Sequence, residues 1–292
     1  MSVTGKIQAD KVTVRTLREY KEKHVPIRML TAYDYSFARL IDQAGMEITL
    51  IGDSLAMVAL GYETTLPVTM EEMLHHCRAV SRGTRRAMLV GDMPFLSYQV
   101  SVDEAVRNAG LFLKEGQVDA VKLEGGRERQ ATIKAIVDTG IPVMGHIGLT
   151  PQSVHHFGGF FVQGKTAREG IRLLEDALAL AQAGCFSLVL ESIPGVLAEY
   201  ITGKVNIPTI GIGAGSGCDG QVLVTQDLLG LFEQFQPKFV KVFGDAKPLI
   251  ETALHAYAED VKSGSFPEEK HTFHMPDAEW EDFIDQAERL IL

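Results

Sequence analysis

The sequence predicts an α/β chain folded as a closed (β/α)8 TIM barrel, preceded by an N-terminal helix and followed by a C-terminal helical extension. Three observations carry that expectation. Short apolar runs alternate with helix-period patterns, the signature of parallel strands joined by crossover helices. Eight such runs can be counted, and a length of 292 residues lies within the range of one such barrel. Successive runs end on polar or ionisable residues, which in this fold gather at one mouth. An open doubly wound sheet is the alternative arrangement of the same elements.

The elements follow in chain order. Residues 11–23 carry helical periodicity with many charges and form the N-terminal helix. Pro26 opens the first strand, 27–32, and a helix over 33–44 ends at Gly45. A strand over 47–51 leads to a long loop through Pro67. Thr69, with Glu72 three residues on, is a capping box that starts the next helix. Ser101 with Glu104 repeats that signature after a strand over 87–91. The fourth strand, 119–123, precedes a helix over 127–139 and a short strand over 142–145. A long helix over 166–183 leads to the sixth strand, 185–190, and a helix over 194–202 has Pro near its first turn. The seventh strand, 208–213, runs into a glycine-rich loop. The eighth is expected over 238–243, with the last barrel helix over 248–262. Residues 1–264 are therefore read as the barrel and 265–292 as the extension. In the extension Trp280, Phe283, Ile284, Ala287, Leu290 and Ile291 recur at helical spacing, so it packs on the barrel or on a neighbouring subunit.

Net charge is −10 with no basic stripe, which argues against a nucleic-acid partner. No apolar run reaches the roughly 18–20 residues that a membrane helix needs, and the opening Met-Ser-Val-Thr-Gly-Lys lacks the apolar core of a signal peptide. Cys77, Cys185 and Cys218 share no ligand spacing and read as reduced thiols of a cytoplasmic protein.

Residues 118–126, Val-Asp-Ala-Val-Lys-Leu-Glu-Gly-Gly, show the pattern on which the site turns. Val121 and Leu123 share one face of a buried strand, Lys122 and Glu124 the other. Opposite charges on the inner face are a structural ion pair or a working group. Other strand ends supply Tyr33 and Asp34, Asp53 and Ser54, Asp92, His146, and Glu191 with Ser192. Asp53, Asp92 and Glu124 come from three adjacent strands and converge. Either loop amides satisfy them or a hard divalent cation does, and all-oxygen ligands favour Mg2+. Lys122 beside such a metal suits a bound anion, with a Schiff base as the other reading. His146 is an acid/base, an orienting donor or a structural group. His75, His76, His155 and His156 have no telling partner. Gly211-Ile-Gly-Ala-Gly-Ser-Gly is a phosphate cradle or a tight turn and lacks the Lys-Ser/Thr of a P-loop.

Several blocks together resemble the ketopantoate hydroxymethyltransferase family: Thr31-Ala-Tyr-Asp-Tyr, Ile51-Gly-Asp-Ser-Leu, Thr65-Leu-Pro-Val-Thr, Gly91-Asp-Met-Pro-Phe and Val121-Lys-Leu-Glu-Gly-Gly. Gly145-His-Ile-Gly-Leu-Thr-Pro-Gln, Leu190-Glu-Ser-Ile-Pro, Gly211-Ile-Gly-Ala-Gly and Pro237-Lys-Phe-Val-Lys complete the set, in order from about residue 10 to His274. The closing helix from Ala278 lies outside it. The resemblance implies a (β/α)8 barrel that transfers a hydroxymethyl group from 5,10-methylenetetrahydrofolate to 3-methyl-2-oxobutanoate through a Mg-stabilised enolate, giving 2-dehydropantoate on the way to pantothenate. It implies Mg2+ ligation by Asp53, Asp92 and Glu124. It also implies keto-acid contacts from Ser54, Asp92 and Lys122 (Asp53 and His146 stand beside them as further candidates), a general base at Glu191, and a cytoplasmic homodecamer built as a pentamer of dimers. Two rivals are a Mg-dependent carbon–carbon lyase of the isocitrate lyase and phosphoenolpyruvate mutase type, and a ligand-binding barrel without chemistry. The residues themselves point to no folate-binding group.

Overall fold

The computed structural model describes residues 11–232 and 237–291. The first six residues, read above for a leader, and Leu292, at the end of the expected last helix, lie outside that set. The chain divides into two compact units, Met1–Phe243 and Gly244–Leu292. The division precedes the change in composition at Gly264, and the helix before that glycine has no buried residue.

Eight parallel strands close the first unit into a barrel in sequence order. They are β1 (Ile27–Thr31), β2 (Ile48–Ile51), β3 (Met88–Asp92), β4 (Ala120–Glu124), β5 (Val143–Gly148), β6 (Ser187–Glu191), β7 (Thr209–Ile212) and β8 (Gly220–Leu223). Around them run α1 (Val14–Glu22), α2 (Tyr35–Gln43), α3 (Leu55–Val58), α4 (Met70–Gly83), α5 (Val102–Lys114), α6 (Gln130–Asp138), α7 (Val154–Phe157), α8 (Ala167–Ala183), α9 (Gly195–Thr202) and α10 (Thr225–Leu228). The second unit holds α11 (Lys247–Ser263) and α12 (Asp277–Ile291). No helix among the described residues is long and apolar enough to cross a membrane.

The capping box expected at Thr69 is complete, the one expected at Ser101 is half made, and α8 and α2 carry caps that were not read from the sequence. Thr69 and Glu72 exchange hydrogen bonds at the start of α4, and Thr166 and Glu169 do so at α8. Ser101 accepts from the Glu104 N–H at α5, and Asp34 accepts from the Phe37 N–H at α2. Each such cap stabilises its helix by about 1 kcal/mol.

Strand alternation divides the apolar residues into two layers. Val121, Leu123, Leu188 and Leu190 face outward and pack under the helices with Phe112, Ile133 and Leu180. Ile27, Met29, Ile48, Met88, Ala120, Met144 and Ile210 point inward and fill the lower barrel. Helix α1 seals the foot of that interior. Its Leu17 is fully buried among the inward residues, and Lys21 reaches Asp219 at 2.8 Å. Lys11, just ahead of α1, reaches Asp119 at 2.7 Å. Glu47, at the foot of β2, is buried against Arg28 (2.6 Å) and Arg86 (3.4 Å). Burial pushes its pKa up, and the hydrogen bonds from Arg28 outweigh that and hold it below the ordinary value.

One strand differs from expectation. Residues 238–243 are not a strand; β8 lies earlier, at Gly220–Leu223, paired to β1 from Ile27↔Gly220 to Leu30↔Leu223 and to β7 through Ile210↔Gly220. A Cβ on Gly220 would stand 2.4 Å from the Ile27 carbonyl oxygen. Only a residue without a side chain fits where the barrel closes, and that same residue weakens the strand signal. The β-branched and aromatic Phe239, Val240, Val242 and Phe243 mimic a strand without pairing as one.

Candidate active site

The strands deliver their inward side chains to one cavity of ≈330 Å³ at the C-terminal mouth of the barrel. Asp53, Ser54, Asp92, Lys122, Glu124, His146 and Glu191 all line it. Register makes neighbours of them: Asp92 pairs with Lys122, Glu124 with His146, and Gly148 with Glu191 across adjacent strands. These seven strand-end candidates are therefore in one place; of the others, Tyr33 stands behind Ser54 and Asp34 caps α2 instead.

Lys122 is buried and its Nζ lies 2.6 Å from both oxygens of Asp92. Burial alone would lower its pKa; the charges of Asp92, Asp53 and Glu124 outweigh burial and raise it. A lysine held in its ammonium form is a poor amine nucleophile, which disfavours the Schiff-base reading and favours binding of an anion. The Asp92 Oδ2 also accepts from the Asp53 backbone N–H at 3.2 Å.

Asp53 is pushed well above the usual carboxylate range, first by burial and then by the charges of Asp92 and Glu124. One of its oxygens accepts from Gln152 Nε2 at 2.9 Å. Glu124 accepts from the Gln152 N–H through Oε2, at 3.0 Å, while its Oε1 is buried with no hydrogen-bond partner. Among the described residues no three His, Cys, Asp or Glu side chains stand as a ready ligand set around one point. Lys122 and Gln152 hold Asp92 and Asp53 instead. The composition of the cluster still suits a hard divalent cation: three buried carboxylates face a single lysine, and one carboxylate oxygen lacks a donor.

His146 lies between two carboxylates, Nδ1 3.5 Å from Glu124 and Nε2 3.2 Å from Glu191. Neither ring nitrogen has hydrogen-bond geometry, so the contact is electrostatic. Burial and the charge of Lys122 lower its pKa; Glu124 and Glu191 outweigh them and bring it to about 9. The two acids thus favour the charged form of the ring between them.

Glu191 ends β6, across the barrel from β2 and Asp53. The backbone that carries it is fixed on both sides. A Cβ on Gly148 would meet the Glu191 carbonyl oxygen at 2.2 Å, so β5 and β6 approach closely only because that position is glycine. Ser192, next in the chain, has φ +48, a left-handed conformation that costs a non-glycine residue about 1–3 kcal/mol. Its N–H donates to the Ile212 carbonyl at 2.8 Å. Ser54, on the other side, shares a 2.9 Å hydrogen bond with the Tyr33 hydroxyl.

Three residues with a place in the site carried no expectation. Gln152 joins Asp53, Glu124 and the Met93 carbonyl, and its Oε1 accepts from the Tyr98 hydroxyl at 2.6 Å. Tyr98 in turn accepts from the Glu124 N–H. Gln152 closes the Gly145-His-Ile-Gly-Leu-Thr-Pro-Gln block but was given no role, and the only signal for Tyr98 was its place in the loop after β3. Asp227, on α10, lines the same cavity and was passed over when β8 was placed too late. Burial raises its pKa to about 6. The glycine loop after β7 makes two left-handed turns, at Gly213 and Gly215, as a tight turn requires.

The family model for ketopantoate hydroxymethyltransferase matches residues 11–269. A curated 3-methyl-2-oxobutanoate hydroxymethyltransferase of Syntrophus aciditrophicus (strain SB) is 57% identical over 263 residues, covering 90% of this chain and 97% of that protein. Among solved structures, the phosphoenolpyruvate phosphomutase of Streptomyces platensis subsp. rosaceus superposes with a TM-score of 0.58 at 14% identity, over 96% of this chain and 99% of the other. A phosphonopyruvate hydrolase in complex with oxalate and Mg++ gives 0.57 at 13%, over 95% and 97%. At such identities the structures speak for the barrel alone. The match to the family model, the identity along nine-tenths of the length, and the strand-end acids of one cavity lead to one conclusion: the chain belongs to the ketopantoate hydroxymethyltransferase family.

Proposed function

We propose that this hydroxymethyltransferase moves the one-carbon unit of 5,10-methylenetetrahydrofolate onto C3 of 3-methyl-2-oxobutanoate, giving 2-dehydropantoate. The observation that carries the reading is the division of the cavity: an ammonium group within a cluster of acids on one side, and a separate carboxylate, Glu191, across from it. The names of curated relatives supply the acceptor.

The residues divide the work. Lys122 and Ser54 hold the carboxylate of the 2-keto acid, the first by charge and the second by its hydroxyl. Glu191 takes the proton from C3, and His146 keeps that carboxylate aimed by its charge. Both C–N bonds of the one-carbon unit break: water releases it as formaldehyde, and the two folate nitrogens leave with their bonding pairs and take up the water's protons. C3 adds to the formaldehyde carbon, whose oxygen takes the proton from Glu191 and becomes the hydroxyl. Asp53, Asp92 and Glu124 would hold a Mg2+ ion. Such an ion, when bound, supplies positive charge for the oxygens of the keto acid as C3 loses its proton.

Incubating the protein with keto acid, methylenetetrahydrofolate and Mg2+ should yield 2-dehydropantoate by mass and NMR. A stringent chelator should abolish turnover, Mg2+ should restore it, and Mg2+ should raise the thermal midpoint of the protein without substrates. Full activity in metal-free buffer, or no midpoint shift, would sink the metal assignment. Folate-independent cleavage of a 2-keto or 2-hydroxy acid would favour the lyase reading instead.

The same proposal covers assembly and place: a homo-oligomer larger than a dimer, the pentamer of dimers that the resemblance implies, in the cytoplasm. In support, α11 leaves Leu249, Leu254 and Tyr257 mostly exposed in the single chain, and all three cysteines are free thiols. Sedimentation should show the large species at micromolar concentration; a monomer there would overturn it.

A further inference from the structure

The eighth strand delivers a carboxylate that the reacting cluster leaves unused. Asp227 follows β8, opposite β4 in the barrel, and lines the cavity from that side. The helix start that carries it is tied down two residues earlier: the Thr225 N–H donates to Thr31 Oγ1 at 3.1 Å, and Thr225 Oγ1 donates to the Thr31 carbonyl at 2.5 Å. Among the described residues no cation or hydrogen-bond donor reaches its side chain, and burial is what raises its pKa. A half-buried carboxylate without donors is costly unless a ligand brings them.

The surroundings restrict that ligand. The anionic keto acid is repelled by a lone carboxylate and has Lys122 on the opposite wall. Ile212, Val224, Phe232 and Phe239, from the same end of the chain's path, line the cavity with Asp227 and offer apolar and aromatic surface to a flat ring. A carboxylate whose two oxygens are free matches a planar edge carrying two adjacent, parallel N–H donors, a pairing strengthened by its charge. A 2-amino-4-oxopyrimidine ring has such an edge in its N3–H and 2-amino groups.

We propose that Asp227 holds the one-carbon donor by the N3–H and 2-amino edge of its pterin ring, with Phe232 and Phe239 beside the ring. This rests on the folate-dependent reading given above. The β2–β4 side of the cavity is then the keto-acid half and the β7–β8 side the donor half, with Glu191 on the wall between them.

Calorimetric titration with tetrahydrofolate, with keto acid present, tests it. Asp227→Asn should weaken tetrahydrofolate binding about 10- to 100-fold, the scale of hydrogen bonds to a charged group. The KM for methylenetetrahydrofolate should rise in proportion and the KM for keto acid should stay within about twofold. The wild type should also bind the 2-desamino analogue of tetrahydrofolate more weakly by a similar factor, and the variant should not distinguish the two. The analogue comparison needs no variant, so the proposal stays falsifiable if Asp227→Asn folds poorly. Equal binding of the two ligands by the wild type, or tetrahydrofolate affinity of the variant within twofold of wild type, overturns the subsite. No tetrahydrofolate binding by the wild type overturns the folate reading itself.

Discussion

Glu191→Gln should lower hydroxymethyl transfer by about two to four orders of magnitude, the usual scale for loss of a general base. The substitution keeps the shape of the side chain and the approach of β6 to Gly148, so Mg2+ and keto acid should still bind. Glu191 stands across the barrel from Asp53 and beside His146, at 3.2 Å, and meets the Asp53–Asp92–Glu124 group through that ring, which lies 3.5 Å from Glu124. The direct measurement is exchange of the C3 proton of 3-methyl-2-oxobutanoate into D2O, with folate absent. The variant should lose that exchange together with transfer. Exchange near the wild-type rate would remove Glu191 from the proton step and leave it a structural partner of His146.

The second large effect concerns stability. Lys122→Met should destabilise the barrel by about 3–5 kcal/mol, because it strips a fully buried ammonium from a wall of three acids. Methionine fills the volume, so a cavity is not the cause. The loss should be visible as a lower urea midpoint at neutral pH, and the double variant Lys122→Met/Asp92→Asn should recover part of it. If the single variant unfolds at the wild-type urea concentration, the pair is energetically neutral and Lys122 is retained for substrate alone.

The acids of the site were legible because a buried strand has no cheap place for charge. Lys122 and Glu124 inside an apolar run, and Asp53 and Asp92 ending others, stand out against their neighbours without reference to the fold. Gln152 did not, since its part consists of contacts made across long stretches of chain, to Asp53 99 positions away and to Met93 59 positions away. Asp227 was lost for a different reason. β8 has four residues and opens on a glycine required by the barrel's closure, whereas 238–243 offers a richer β-branched and aromatic run that no neighbour pairs with. Local pattern outranked topology there, and the carboxylate placed by the true strand went with it. The barrel survived the error, because seven well-marked strands and their crossovers already demand an eighth.

Helix α1 has a consequence in time. It leaves the ribosome ahead of all eight strands, yet the floor it lays against is finished last: Lys21 finds Asp219 198 positions later, and β1 waits for β8 to close the ring. Until then Leu17, Ile27 and Met29 have no complete surface to cover. Contacts of such long range are slow to form, and a nascent chain carries its sticky foot exposed for most of its synthesis. For this protein the ring and its seal are one late event, and any arrest ahead of residue 220 releases a chain with an open, apolar end.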